Sequence, residues 1–219
     1  MNIHLLKEVV KLKTRILELS NMVELAVRSS VAAIIEHDIS LAQQVIKNDQ
    51  KIDCKELEIE EECLKILALY QPLAGDLRYV IACLKVNNDL ERIGDLAASI
   101  AKRAIVIADY PTGQLEVDFK PMMNLTRSML KDTLDALIHN DEELALKVLK
   151  KDDKVDEFNR HKLKRLEQLI IETPNKTTYY INLMNVSKHL ERIADYTTNI
   201  SEDIVYMIRG EIIRHGGLS

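Results

Sequence analysis

The sequence predicts an all-α protein: two tandem antiparallel three-helix bundles related by internal duplication, one over residues 1–110 and the other over residues 111–219. Three observations lead there. The stretch Leu90–Asp95 (L-E-R-I-G-D) returns as Leu190–Asp195 (L-E-R-I-A-D), and Val45–Asp53 (V-I-K-N-D-Q-K-I-D) returns as Val148–Asp156 (V-L-K-K-D-D-K-V-D). The copies are offset by 103 residues at the upstream motif and by 100 at the downstream one, so the second copy has lost three residues between them; such self-similarity marks a repeated structural unit. The composition, with 6 Gly, 4 Pro, 2 Phe and no Trp, suits long helices rather than sandwiches or barrels. Finally, Val86, Leu90, Ile93, Ala97, Ile100, Ala104 and Ile107 form a 4-then-3 apolar seam, and Val186, Leu190, Ile193, Thr197, Ile200, Ile204 and Met207 repeat it at matching positions.

Taken in order, the first helix runs from about Asn2 to Glu36, and H-D-I-S leads into a second from about Ser40 to Tyr70. Pro and Gly in Gln71–Asp76 (Q-P-L-A-G-D) interrupt the pattern, with Asp76 as the expected N-cap of a third helix reaching Ala108. Tyr110–Gly113 (Y-P-T-G) is the strongest punctuation and falls where the duplication needs a linker. The second unit repeats the plan over Lys120–His139, Asp141–Glu172, a break at T-P-N-K, and a last helix to Arg209, followed by Gly210 and a frayed H-G-G-L-S tail. Tyr179 and Tyr180 are read as packing at the start of that helix.

Charge and cysteine narrow the class. A net charge of −5 without a Lys/Arg-rich block argues against nucleic acid or an anionic membrane as the main ligand. Cys54, Cys63 and Cys83 are odd in number and lack C-x-x-C spacing, as expected of free thiols in a reducing cytosol. No signal-peptide core is evident and no apolar run approaches the roughly 18 residues of a membrane span. A soluble, cytoplasmic protein is expected.

The candidate site residues are carboxylates spaced four apart: Asp49/Asp53 and Glu91/Asp95 in the first repeat, Asp152/Asp156 and Glu191/Asp195 in the second. Like charges at this spacing destabilise a helix by a few tenths of a kcal/mol, yet all four pairs carry it. Carboxylate clusters bind hard or borderline cations. If the second and third helices of a unit lie side by side, four acidic groups converge. By helical periodicity Glu91, Asp95, Glu191 and Asp195 project opposite their seams, hence outward. Asn199 and Glu202 extend the stripe in the last helix, where the first repeat has Ser99 and Lys102, so the two sites are expected to be unequal. Arg92 and Arg192 directly follow the motif Glu, and an arginine can clamp phosphate bidentately, but they are read here as ion-paired with a neighbouring carboxylate on the same helix, such as Asp89 or Asp95. No histidine stands three after a Glu, and no P-loop, G-x-S-x-G, G-x-G-x-x-G or H-E-x-x-H appears. Catalysis and redox chemistry have no support in the sequence.

Tyr70–Arg78 (Y-Q-P-L-A-G-D-L-R), Asn88–Asp95 (N-D-L-E-R-I-G-D), His189–Asp203 (H-L-E-R-I-A-D-Y-T-T-N-I-S-E-D) and the D-x-x-x-D pairs together resemble the PhoU family of phosphate-signalling proteins over essentially the whole chain. The resemblance implies acidic motifs holding iron, zinc, manganese or magnesium. It also implies a non-enzymatic cytoplasmic negative regulator acting between the ATPase subunit of the phosphate ABC transporter and the sensor histidine kinase of the phosphate regulon, often as a homodimer. The second repeat has P-N-K-T-T where the first has L-A-G-D-L-R, so the role of that turn is expected once. The rival readings are a carboxylate-rich metal-handling or storage protein and a purely structural scaffold.

Overall fold

A computed structural model describes residues 3–110 and 117–210. Among these, the first bundle comprises α1 (Ile3–Glu36), α2 (Ile39–Tyr70) and α3 (Ala74–Ala108). The second comprises α4 (Lys120–His139), α5 (Glu142–Leu149), α6 (Asp152–Glu172), a 3₁₀ turn (Pro174–Lys176) and α7 (Thr177–Arg209). Most of the Y-P-T-G linker and the whole H-G-G-L-S tail lie outside the described residues.

The duplication is visible atom by atom at the first corner of each bundle. His37 and Asn140 take left-handed φ values of 53° and 52°. The next residues, Asp38 and Asp141, accept from the N–H groups of Leu41 and Leu144 at 2.9 and 3.0 Å, which caps the following helix. Every seam residue of α3 and α7 is buried. Tyr179 and Tyr180 are fully buried at the start of α7, and Tyr110 stacks on Tyr179 with centroids 5.3 Å apart.

Two expectations at helix boundaries need correction. The helix expected over 141–172 is split into α5 and α6, with N–H groups of Lys151 and Lys154 bonding three residues back to Val148 and Lys151. No Gly or Pro marks this break; instead the Lys151 ammonium is drawn across to Ser128 and Asp132 on α4. Asp76 is not an N-cap, because α3 already begins at Ala74 behind the extended Leu73. Gln71 and Ala74 turn the chain with left-handed φ values of 44° and 47°, leaving Asp76 in the first turn, where its charge suits the positive end of the helix dipole.

α3 and α7 join the bundles. Lys85, early in α3, reaches Asp203, late in α7, at 2.9 Å, while Arg103, late in α3, reaches Asn182, early in α7, at 3.4 Å. The helices are therefore antiparallel. Exchanging the repeats maps the first contact onto positions 185 and 103, one turn from the second, so the repeats face each other across an approximate two-fold axis, as the halves of an isologous dimer do.

Within each bundle the second helix meets the third at one tight point. A Cβ on Gly94 would lie 3.0 Å from Cγ2 of Ile52. In the second repeat these positions are Ala194 and Val155, both buried, so a methyl gained on one helix is matched by a methylene lost on the other. A double-mutant cycle checks this reciprocity. Ile52→Val alone is expected to cost about 1 kcal/mol, and the cost should disappear in the Gly94→Ala background, giving a coupling energy of about 1 kcal/mol by urea unfolding. Strict additivity would count against it.

Candidate metal centres

The tight crossing places α2 and α3 side by side along a polar stripe. One turn along α2 from the crossing and two turns along α3, the amide of Asn87 donates to the backbone and side-chain oxygens of Glu56, both at 3.0 Å. The corresponding residues of the second repeat, Ser187 and Asn159, meet at 2.8 Å. These contacts fix the register in which the carboxylates of the two helices face one another.

Two clusters result. Ligand oxygens of Asp49, Asp53 and Asp95 lie within 4.8 Å of one another, and so do those of Asp156, Glu191 and Asp195. Oxygens on opposite sides of one cation are separated by roughly 4–5 Å at ligand distances of about 2.0–2.5 Å, so each set fits a single hard cation. Glu91 and Asp152 adjoin their clusters without belonging to the closest three. Oδ1 of Asp152 is buried without a hydrogen-bond partner, an acceptor available to a cation. Asn199 is exposed, and the partly buried Glu202 belongs to neither triad. Glu91, Glu191 and Asp195 are partly buried beside the second helix of their repeat and the Asp95 side chain is 48% exposed, so all four stand off the buried seams of α3 and α7. Arg92 does pair with its neighbours, at 3.6 Å from Glu91 and 3.9 Å from Asp95.

The crowding shows in the proton affinities. Burial, then the charges of Asp53 and Asp95, push the Asp49 carboxyl up to about 6, with Lys102 opposing. Burial, then Asp195, Asp156, Asp153 and Glu191, push Asp152 up to about 6. Glu91, Glu191 and Asp195 are raised by burial first and neighbouring acids second. Sequence reasoning missed Glu56 as part of the stripe. Its clue was position, three residues after Asp53 and so on the same face. Lys102, noted only as a difference between the repeats, is a counter-charge to Asp49, and the second repeat has Glu202 in its place.

An acid whose pKa is raised on folding binds its proton more tightly in the folded state. Between about pH 4 and pH 6 the folded metal-free chain therefore holds more protons than the unfolded chain, and stability falls as pH rises through that window. In chelator, the urea midpoint should be higher at pH 5 than at pH 7, and Asp49→Asn plus Asp152→Asn should shrink the difference. An unchanged difference in the double variant would remove these two groups as its source.

Comparison with known proteins agrees with the fold and the motifs. The PhoU domain model matches residues 16–104 and 119–204. A phosphate-specific transport system accessory protein PhoU homolog of Aquifex aeolicus is 37% identical over 211 residues, spanning 96% of each chain. The homolog of the same description from Pseudomonas putida is 39% identical over 214 residues, or 96% of this chain and 83% of that protein. The crystal structure of PhoU from Pseudomonas aeruginosa superposes with a TM-score of 0.89 at 36% identity, covering 94% of this chain and 99% of that one. The phosphate transport system regulatory protein PhoU from Streptococcus pneumoniae superposes with a TM-score of 0.86 at 30% identity, covering 95% and 98%. Two tandem helical bundles, a repeated acidic motif on facing helices and matches spanning nearly the whole chain establish that this chain belongs to the PhoU family.

Proposed function

We propose that this chain is an accessory protein of phosphate transport: a metal-binding negative regulator that links the ATPase subunit of the phosphate ABC transporter to the sensor histidine kinase of the phosphate regulon. The observation that carries the reading is the pair of carboxylate clusters on the duplicated PhoU scaffold. Relatives sharing this architecture throughout are named as accessory or regulatory proteins of phosphate transport. Among the described residues no helix is long and apolar enough to cross a membrane, so contact with a transporter runs through protein surfaces.

Asp49, Asp53 and Asp95, with Glu91 adjoining, would hold an ion in the first repeat, and Asp156, Glu191 and Asp195, with Asp152 adjoining, one in the second. A bound iron, zinc, manganese or magnesium ion supplies positive charge that relieves carboxylate repulsion and lowers the negative charge of the stripe. Oxygen-only sets discriminate weakly among these ions, so occupancy follows supply. The chain's own part is to hold the carboxylates at fixed separation and to present the stripe on both halves, the first cluster tempered by Lys102, whose position in the second repeat is taken by Glu202. A homodimer that doubles these surfaces belongs to the same reading.

The stripe attracts a basic patch on an ATPase or kinase domain, and metal occupancy tunes that attraction. Glu191→Lys plus Asp195→Lys leaves the α7 seam intact and is expected to release phosphate-starvation genes from repression in cells grown with ample phosphate, while the purified variant keeps its helical circular dichroism. A folded double variant that represses like wild type would remove this surface from the regulatory contact. Metal storage without regulation would instead give tight binding of many ions per chain and no change in repression.

A further inference from the structure

The duplication provides an internal control for one feature outside the acidic stripe. Between α1 and α2 the first repeat holds an open cavity of about 410 Å³, floored by Ala26, Val45 and Ile52 and edged by Leu25, Ser29, Asn48 and Lys51. At the 103-residue offset, Met129 replaces Ala26, Ser128 replaces Leu25, Asp132 replaces Ser29 and Lys151 replaces Asn48. The second repeat closes this place with its own residues. Met129 is fully buried, and Lys151 binds Ser128 at 3.1 Å and pairs with Asp132. At the positions of Met129 and Asp132 the first repeat has only Ala26 and Ser29, the cavity stays open although Met22 also lines it, and Leu25 stands 51% exposed at the rim.

We propose that the α1–α2 groove of the first bundle is a docking site for an amphipathic acidic helix of a partner protein, which inserts a bulky apolar side chain where the second repeat has Met129 and sets a carboxylate against Lys51. Three observations select this occupant. The volume lies within the roughly 300–1,000 Å³ of sites that accept a ligand or anchoring side chains. The filled repeat shows that a long apolar side chain with a lysine-bound carboxylate nearby is the chemistry that completes this scaffold. The one charged residue on the rim is the exposed Lys51, and Lys47, one turn away on α2, lines the adjoining surface depression with it. Helix-in-groove recognition reads this pattern, with apolar anchors three and four residues apart and charges flanking them. The proposal does not depend on metal in the carboxylate clusters.

The probe is a fluorescein-labelled Ala-rich helical peptide of about 18 residues with Met and Leu anchors one turn apart and Glu at the flanking positions. A second peptide carries Lys for Glu, and a third carries Ser for both anchors. Fluorescence anisotropy with the full chain should give saturable binding of the Glu peptide alone. Ala26→Met, which fills the groove as Met129 does, should weaken binding by about tenfold or more. Leu25→Ser, at an exposed position that leaves the core untouched, should weaken it severalfold, and Lys51→Glu should reverse the preference between the Glu and Lys peptides. No binding of the Glu peptide up to about 1 mM, equal binding to the folded Ala26→Met variant, or indifference to the Lys51 reversal would overturn the proposal. So would self-association of the wild-type chain that Ala26→Met abolishes, since the groove would then belong to a second copy.

Discussion

The close packing of the second helix on the third in each repeat is the constraint on which the other features rest. The α3 and α7 seams and, in the first repeat, the Ile52–Gly94 crossing hold the backbones at one separation, with Val155 and Ala194 buried at the matching positions of the second. The Glu56–Asn87 and Asn159–Ser187 contacts hold them in one register. Apolar burial at about 25 cal/mol per Å² over seams this long outweighs the repulsion between a few half-solvated carboxylates. The acids therefore cannot separate without unpacking the bundle. They respond by binding protons more tightly, the raised affinities of Asp49 and Asp152 being the clearest sign, and a bound cation would relieve the same repulsion at neutral pH.

Duplication lets one scaffold carry two versions of each feature. The repeats share the capped corner at Asp38 and Asp141, the seam and the acidic quartet, and they meet across α3 and α7 through Lys85–Asp203 and Arg103–Asn182. They differ in what surrounds those elements. Lys102 corresponds to Glu202, Glu56 to Asn159, and the continuous α2 to the broken α5–α6 with its lysine latch. Each difference changes charge or access at matching places of one shared fold.

Much of this was legible in the sequence because it rests on periodicity. The seams needed only 3.6-residue spacing, and the helix ends at Glu36, Tyr70, Ala108, His139 and Arg209 coincide with Gly, Pro or Asn/Asp punctuation. What stayed hidden depends on contacts between helices. The break at Lys150–Lys151 has no local breaker and follows from the pull of Ser128 and Asp132 on a lysine that looks like any surface lysine. Asp76 resembled an N-cap, but the left-handed Gln71 and Ala74 start the helix three residues sooner. A helical wheel sets the carboxylates of α3 and α7 off their seams, but it does not show the neighbouring second helix beside which Glu91, Glu191 and Asp195 are partly buried. Which acids come closest was equally invisible, since Glu91 and Glu191 occupy the same position in the repeat and only Glu191 joins the tightest triad.

The account stands or falls on cation binding by the two clusters. Equilibrium dialysis of chelator-stripped protein against Mn²⁺, with the bound ion counted by atomic absorption, tests it most directly. The wild-type chain should bind at least one ion per cluster, Asp53→Asn plus Asp95→Asn should lose only the first repeat's share, and Asp156→Asn plus Asp195→Asn only the second's. No bound Mn²⁺ in the folded wild-type chain, or a stoichiometry that neither pair of substitutions changes, would contradict it.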